Sequence, residues 1–376
     1  MTVSRDSTYT LNFGPHHPST HGILRLKLTM AGESVVACEP IIGYLHRGVE
    51  KIVESKGFMS IIPYLDRLDY LSPAIQEHAY VMAIEKLLDV NVPERATLIR
   101  TIFDELTRIS SHIMSIGSMT FDLGCLSLFL YGMEEREKIM SIFQKTTGSR
   151  MHIAYYTPGG VVNDIHESAV DEIRGFIGGF IGGIGFYMDA VEKLALNNRI
   201  FKERTIGVGK IKAEEAVKNG LSGVNLRASG VDYDIRKAAP YGAYEMLDFK
   251  TITLRDGDCY ARMHLRVLEI KQSIELIEQC IAMLQPGEVC NSSCAKLLSK
   301  GLPKNTIIYT STETPRGEFG VHMVIGSDRH KVHRMHFKSP SFAHVQFLEK
   351  LLVGVKIPDI TAILGSIDFI MGCCDR

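Results

Sequence analysis

PERATLIRTIFDELTRISSHI, residues 93–113, places Ile99, Ile102, Phe103, Leu106, Ile109 and Ile113 three or four residues apart, the spacing of a long helix with one buried stripe. Pro93 suits the start, since the first turn of a helix leaves its N–H groups unpaired anyway. Upstream, Pro63 opens a second helical pattern that runs towards Leu88. Downstream, Glu134 to Thr147, Glu167 to Leu196 and Tyr260 to Leu284 carry the same period.

The ends of the chain read differently. Thr8 to Phe13, Ile23 to Met30 and Ser34 to Ile41 alternate as strands do, with Ala31-Gly32-Glu33 as a turn. Ser222 to Tyr241 is loop-rich, and from Pro286 to Lys304 the chain is polar and irregular. Then Thr306 to Thr310, Gly320 to Ile325 and Val332 to Phe337 predict short strands, followed by helices near Phe342 to Leu352 and Asp359 to Leu364. The expected class is α+β: a central helical bundle with small β regions near the N- and C-termini. The expected division is residues 1–44 as an N-terminal β region with a histidine loop, 45–285 as helical core, and 286–376 as a C-terminal α/β region packed on that core.

Composition narrows the function. In 376 residues, 42 Lys and Arg against 43 Asp and Glu leave a net charge of −1, which argues against disorder and against coating a nucleic acid. No apolar run follows Met1, so export is not expected. The longest apolar stretch, Gly175 to Met188, is shorter than the ~20 residues that span a bilayer. With Gly175, Gly179 and Gly183 four apart, it reads as a helix that another helix approaches closely. The eight cysteines contain no C-x-x-C, and Cys290 and Cys294 have no second pair nearby, so buried thiols are expected rather than a metal site. No glycine-rich phosphate loop is present.

Several residue types carry possible chemistry. His16, His17 and His21 sit in a loop bounded by Gly14-Pro15 and Gly22, and Pro18 opposes the helical histidine spacing of a zinc protease. Structural hydrogen bonding, proton handling and ligand binding remain open for them. On a helix begun by Pro63, Arg67 and Tyr70 would share a face. Asp104, Arg108 and His112, at i, i+4 and i+8, read as a solvated or ion-paired face. Asp122, just beyond that helix between Phe121 and Leu123, is an acid among apolar neighbours and suits a histidine partner. Arg150-Met151-His152 says nothing alone.

Taken in order, Gly14-Pro15-x-His17-Pro18-x-x-His21-Gly22, Leu45-His46-Arg47-Gly48-x-Glu50-Lys51, Asp66-Arg67-Leu68-Asp69-Tyr70, Glu134-Glu135-Arg136-Glu137, Leu226-Arg227-x-Ser229-Gly230, Asp234-x-Arg236-Lys237 and Gly317-Glu318-Phe319-Gly320 resemble the 49 kDa subunit family of respiratory complex I over nearly the whole chain. That family is related to the large subunit of nickel-iron hydrogenases, so the resemblance implies a hydrogenase-large-subunit-like fold. Hydrogenases bind metal with R-x-C-x-x-C and D-P-C-x-x-C. Here the positions align as Arg67, Asp69 and Ser72, and as Asp368, Ile370 and Cys373, leaving one thiolate of four.

The resemblance implies a core subunit of a proton-pumping NADH:ubiquinone oxidoreductase that lines the quinone-reduction chamber. It implies no cofactor and no metal on this chain alone, quinone as substrate, and a 4Fe-4S cluster in the adjacent subunit. His21 and Tyr70 match the residues that hydrogen-bond the quinone carbonyls, Asp122 matches the acid paired with the histidine, and Arg47 and His152 match residues near the cluster. The implied partners are the iron–sulfur subunit, a 30 kDa-type subunit and the membrane heel subunit, with no nucleic acid. The implied place is the peripheral arm of a complex in the mitochondrial inner membrane, matrix side, or the bacterial plasma membrane, cytoplasmic side. A related membrane-bound hydrogenase or ferredoxin-type dehydrogenase, or a scaffold without catalysis, are the alternatives. Tyr131 before Gly132 where a Trp is common, His16 in place of Gln, and a shortened span from Pro286 to Thr306 are departures.

Overall fold

The computed structural model describes residues 8–20, 22–178 and 184–376. Its first sheet is an antiparallel meander of β1 (Thr8–Phe13), β2 (Arg25–Ala31) and β3 (Ser34–Ile41), in that order, with Phe13 opposite Leu26 and Ala31 opposite Ser34. Leu26, Leu28 and Met30 are buried while Lys27 between them is exposed, so the alternation read from sequence sets which face meets the core. β2 begins at Arg25 rather than Ile23. Gly14 crosses so close to this stretch that a Cβ on it would lie 2.1 Å from the Leu24 carbonyl oxygen.

Four short and long helices follow: α1 (Val49–Val53), α2 (Ile62–Leu65), α3 (Pro73–Leu88) and α4 (Glu94–Asp122). The single helix expected from Pro63 to Leu88 is therefore two. Pro73 drives Ser72 out of helical geometry, to φ −136° and ψ 53°. Asp69 adds a competing turn, accepting hydrogen bonds from the Leu71 N–H at 3.1 Å and the Ser72 hydroxyl at 2.6 Å. α4 has 29 residues and, at about 1.5 Å per residue, is the central rod of the molecule; Ile99, Ile102, Phe103, Leu106, Ile109 and Ile113 are all buried along it.

α5 (Leu126–Thr147) packs back along α4, and a two-stranded ribbon, β4 (Tyr156–Thr157) and β5 (Gly160–Val161), follows it. Within the expected glycine-faced helix, α6 (Glu167–Gly178) and α7 (Ile184–Val191) are described, while Gly179 and Gly183 lie outside the described residues. At Gly175 and Gly178 a Cβ would meet nothing within 4 Å, so no neighbour uses these two glycines for close approach. Short helices α8 (Arg199–Thr205), α9 (Ala213–Lys218), α10 (Val224–Arg227) and α11 (Ile235–Ala238) lead to α12 (Cys259–Met283), which lies along α4.

After α13 (Ser293–Ser299), an antiparallel sheet of β6 (Thr306–Thr314), β7 (Gly317–Ile325) and β8 (Val332–Lys338) covers α3. β6 and β7 extend past the expected ends because Thr314 pairs with Gly317 across a tight turn. Two threonines in the middle of β6 are buried without penalty: Thr310 and Thr312 donate to the Ala79 and Ile75 carbonyls of α3 at 2.7 and 3.0 Å. Helices α14 (Pro340–Leu351), α15 (Ile357–Ile367) and α16 (Met371–Asp375) close the chain against the same core. The arrangement is α+β, with helices in the middle and small sheets towards either end. All eight cysteines are free; six are buried, and Cys125 and Cys290 are half-buried.

Candidate functional site

The histidine loop joins β1 to β2, and its described residues are tied by hydrogen bonds and ring stacking. The Thr20 hydroxyl, fully buried, lies 2.6 Å from the His17 carbonyl and 2.7 Å from that of Gly22, and the His17 ring stacks on Phe13 with centroids 4.2 Å apart. Ser19 reaches across to donate to Asp122 at 3.2 Å. Asp122 is the last residue of α4 rather than a residue beyond it, so the rod's end and the loop are tied through the acid singled out from sequence. His21 itself lies outside the described residues. Gly22 sits against α16, where a Cβ on it would be 3.2 Å from the Met371 side chain.

Tyr70 stands, half-buried, in the turn between α2 and α3, not on a helix face shared with Arg67. Arg67 folds back onto the Pro63 carbonyl. Burial, reinforced by the negative charge of Asp69, raises the Tyr70 phenol above its usual range, while Arg316 and Arg47 pull it down. The hydroxyl is thus kept protonated and able to donate, with two guanidinium groups close by.

The turn is held from beneath by Arg316. This side chain is completely buried and donates to Asp69 at 2.9 Å, to Asp368 at 3.3 Å and to the Ser111 hydroxyl of α4 at 3.1 Å. Two of the segments that carry metal ligands in hydrogenases are therefore joined here by a cation. The remaining donor set does not fit a soft metal: Asp69 accepts from Ser72, Ile370 has no donor, and Cys373 is a buried thiol pushed up to about 12 that takes a hydrogen bond from Ser339 at 2.9 Å. Among the described residues no group of three or more His, Cys, Asp or Glu side chains is arranged to hold a metal ion.

Arg316 is aimed by a close backbone contact. Gly223, at φ +63°, meets the β6–β7 turn so tightly that a Cβ on it would lie 2.5 Å from the Gly317 Cα and 2.6 Å from the Arg316 carbonyl. Gly223→Ala combines left-handed strain with overpacking, and is expected to cost about 1–3 kcal/mol. A lowered thermal midpoint of the assembled protein would register it.

Arg47 reaches the same region from the loop before α1. It donates to the Arg67 carbonyl at 2.7 Å and to the Gly372 carbonyl at 2.8 Å, and stays exposed. Gly372 in turn packs on the Tyr70 turn, where a Cβ would be 2.7 Å from the Leu68 carbonyl. The motif around Arg47 anchors α16 as well: the Gly43 and Leu45 N–H groups donate to Asp375 at 2.9 and 2.8 Å. His152, half-buried before β4, lies within electrostatic reach of Asp66. Arg47, the Tyr70 turn and Gly22 of the loop tied to Asp122 thus all meet α16, and His152 lies near Asp66 at the start of that turn. Cavities of about 590 Å³, beside Phe58, Met59 and Cys290, and about 390 Å³, beside His78, Arg100 and Tyr241, include none of these residues.

Of the two readings of Asp104, Arg108 and His112, the structure shows the ion-paired one and not the solvated one: each meets a group of opposite charge, His78, Glu105 and Glu269. All three are buried, because α3, α5, α12 and α15 surround α4. Glu105 receives Arg236 at 3.2 Å and Tyr244 at 2.5 Å, and Arg108 at 3.2 Å; His112 meets Glu269 at 2.8 Å. Arg227 bridges Glu269 at 2.7 Å and Glu313 at 2.6 Å, and Arg236 holds Asp234 at 2.7 Å. Burial would raise Glu269, yet Arg227 and His112 hold it well below the usual carboxylate range. The motif residues Arg227, Asp234 and Arg236 are thus structural members of one buried ionic network behind the site. Arg316, Asp69 and Asp368 were missed as a unit in the sequence, though Arg316 immediately precedes a motif glycine.

The family described as respiratory-chain NADH dehydrogenase, 49 kDa subunit, matches residues 122–304 and 296–376. An NADH-quinone oxidoreductase subunit of Rhodospirillum rubrum is 41% identical over 398 aligned residues, covering 100% of both chains. Its namesakes from the Wolbachia of Brugia malayi and from Ehrlichia canis are 41% and 40% identical, each covering 98% of this chain and 99% and 98% of their own.

Proposed function

The chain belongs to the 49 kDa subunit family of respiratory-chain NADH dehydrogenase and is a core subunit of an NADH:quinone oxidoreductase, and on that premise we propose that its Tyr70–α16 face lines the chamber where quinone is reduced. The observation that carries this reading is Tyr70: a protonated phenol on a turn fixed by the buried Asp69–Arg316–Asp368 bridge, half-buried and flanked by Arg47.

Reduction of a quinone takes two electrons and two protons, so each carbonyl oxygen needs a donor as charge builds on it. Tyr70 serves one carbonyl. His21 serves the other by the family resemblance, and Asp122, already joined to the loop through Ser19, orients and recharges that imidazole. The guanidinium of Arg47 adds positive charge where the oxygens become negative. A 4Fe-4S cluster in the neighbouring subunit would supply the electrons one at a time, and by the family resemblance Arg47 and His152 would lie near it. The partners are that iron–sulfur subunit, a 30 kDa-type subunit and a membrane heel subunit. No helix among the described residues is long and apolar enough to cross a membrane, which accords with a place in the peripheral arm.

A quinone carrying a photoreactive group on its ring tests the reading in the assembled oxidoreductase. Adducts are expected on residues 62–72 or on the loop of residues 14–22, suppressed by excess unmodified quinone. Competable labelling confined to other parts of the chain would refute it.

A further inference from the structure

Asp66 and Glu77 are both completely buried and lie close enough for each to bear on the other's charge. Each carboxyl has one oxygen committed elsewhere. Glu77 Oε2 accepts from the Tyr156 N–H at 2.8 Å, and Asp66 Oδ2 accepts from the Ala154 N–H at 3.0 Å. The other two oxygens, Glu77 Oε1 and Asp66 Oδ1, meet no donor from the described residues. Two carboxylates cannot hydrogen-bond, since each only accepts. One proton shared by the two carboxyl groups would give both a partner.

We propose that one proton shared by Asp66 and Glu77 is a latch that positions the Tyr70 turn against the His152 segment. The pair sits where three pieces of chain meet: the turn that begins at Asp66 and carries Tyr70, helix α3 through Glu77, and residues 152–156 through Ala154 and Tyr156. Asp66 and Glu77 are positioning residues in this scheme and touch no substrate. The inference rests on the reading of Tyr70 as a quinone donor.

The groups facing the pair settle which way it responds to pH. His152 and Arg67 favour the charged form of Asp66, as do the Glu77 carboxyl and the Ala154 N–H, but burial outweighs them and raises it. Glu77 is raised further, by burial first and then by the charge of Asp66, against the Tyr156 and Tyr155 N–H groups. Behind Tyr156 lies Asp104, whose negative charge gives no help to a second anion. Glu77 therefore carries the proton and donates it to Asp66. The latch is closed below the raised value of the pair, and it opens as pH rises through that value and two buried carboxylates repel.

The test uses the assembled oxidoreductase. In wild type, the KM for quinone is expected to rise on the alkaline side by about tenfold per pH unit, the signature of one lost proton. Glu77→Gln supplies a permanent amide donor to Asp66 and still accepts from Tyr156, so its KM is expected to stay flat over the same range. Asp66→Asn makes the same join from the other side, and serves if the first variant fails to assemble. Redox-induced infrared difference spectra, in water and in D2O, should show a protonated-carboxyl band in wild type that is absent from both variants. The same alkaline rise in the variants as in wild type, or no carboxyl band lost on substitution, overturns the latch. The infrared band does not depend on where quinone binds, so its absence condemns the pair alone, whereas misplaced photolabelling condemns the reading of Tyr70.

Discussion

Tyr70→Phe, in the assembled oxidoreductase, is expected to lower quinone reduction by about 10²-fold or more, the usual effect of removing one positioned donor or acid from a reacting oxygen. NADH oxidation by an artificial acceptor such as ferricyanide should stay at the wild-type rate, because electron entry does not pass through the phenol. The substitution removes one oxygen and nothing else. The ring is half-buried and continues to pack, and the turn is held by Asp69, Ser72 and Arg316 through bonds in which the Tyr70 hydroxyl has no part. A fold defect is therefore not expected to imitate the catalytic one. The loss should fall mainly on kcat, since the donor matters most as charge develops on the carbonyl. Quinone reduction at the wild-type rate would remove Tyr70 from the site.

The parts of this molecule that local pattern reveals are those whose partners are near in sequence. The apolar stripe of α4 is such a case, because period alone decides which way Ile99, Ile102 and Phe103 point. The polar side of the same helix is not. A charged stripe looks the same whether water or protein covers it, and the ions that cover Glu105 and His112 come from Arg236 and Glu269, 131 and 157 residues away. The break between α2 and α3 was readable in principle from Asp69 to Pro73, where an aspartate turn precedes proline, but the helical pattern on either side masks it. Tyr70 and Asp122 stand out in the sequence as residue types, but what joins them with Arg47 and His152 in one proposed site is the family resemblance, since no spacing rule links residues held together through Arg316, Ser19 and the backbone of α16. Asp66 opens one of the sequence motifs, but nothing in the sequence joins it to Glu77. Their chemistry arises from burying two like charges together.

Arg316→Met should damage the protein more than any change at the surface of the site. The guanidinium is wholly buried and serves Asp69, Asp368 and Ser111 with two nitrogens, so methionine fills its volume and leaves the acids without that cation. Removing one partner of a buried ion pair costs about 3–5 kcal/mol, a large share of the ~5–15 kcal/mol that separates most domains from unfolding. The expected result is little or no chain in the assembled complex on a native gel, with quinone reduction lost in proportion. Arg316→Lys keeps the charge but offers a point donor in place of a fork, and cannot hold Asp69 and Asp368 together at 2.9 and 3.3 Å. It should assemble partly, and what assembles should show a raised KM for quinone because the Tyr70 turn is no longer fixed. Adding Asp69→Asn to Arg316→Met removes the Asp69 charge and should recover part of the assembly, because the asparagine oxygen still accepts from the Leu71 N–H and its amide nitrogen can donate to the Ser72 hydroxyl oxygen. If Arg316→Met assembled normally, the bridge would not hold the turn. If instead the double variant assembled no better than the single one, the cost would lie in packing around Gly223 and Gly317 and not in charge.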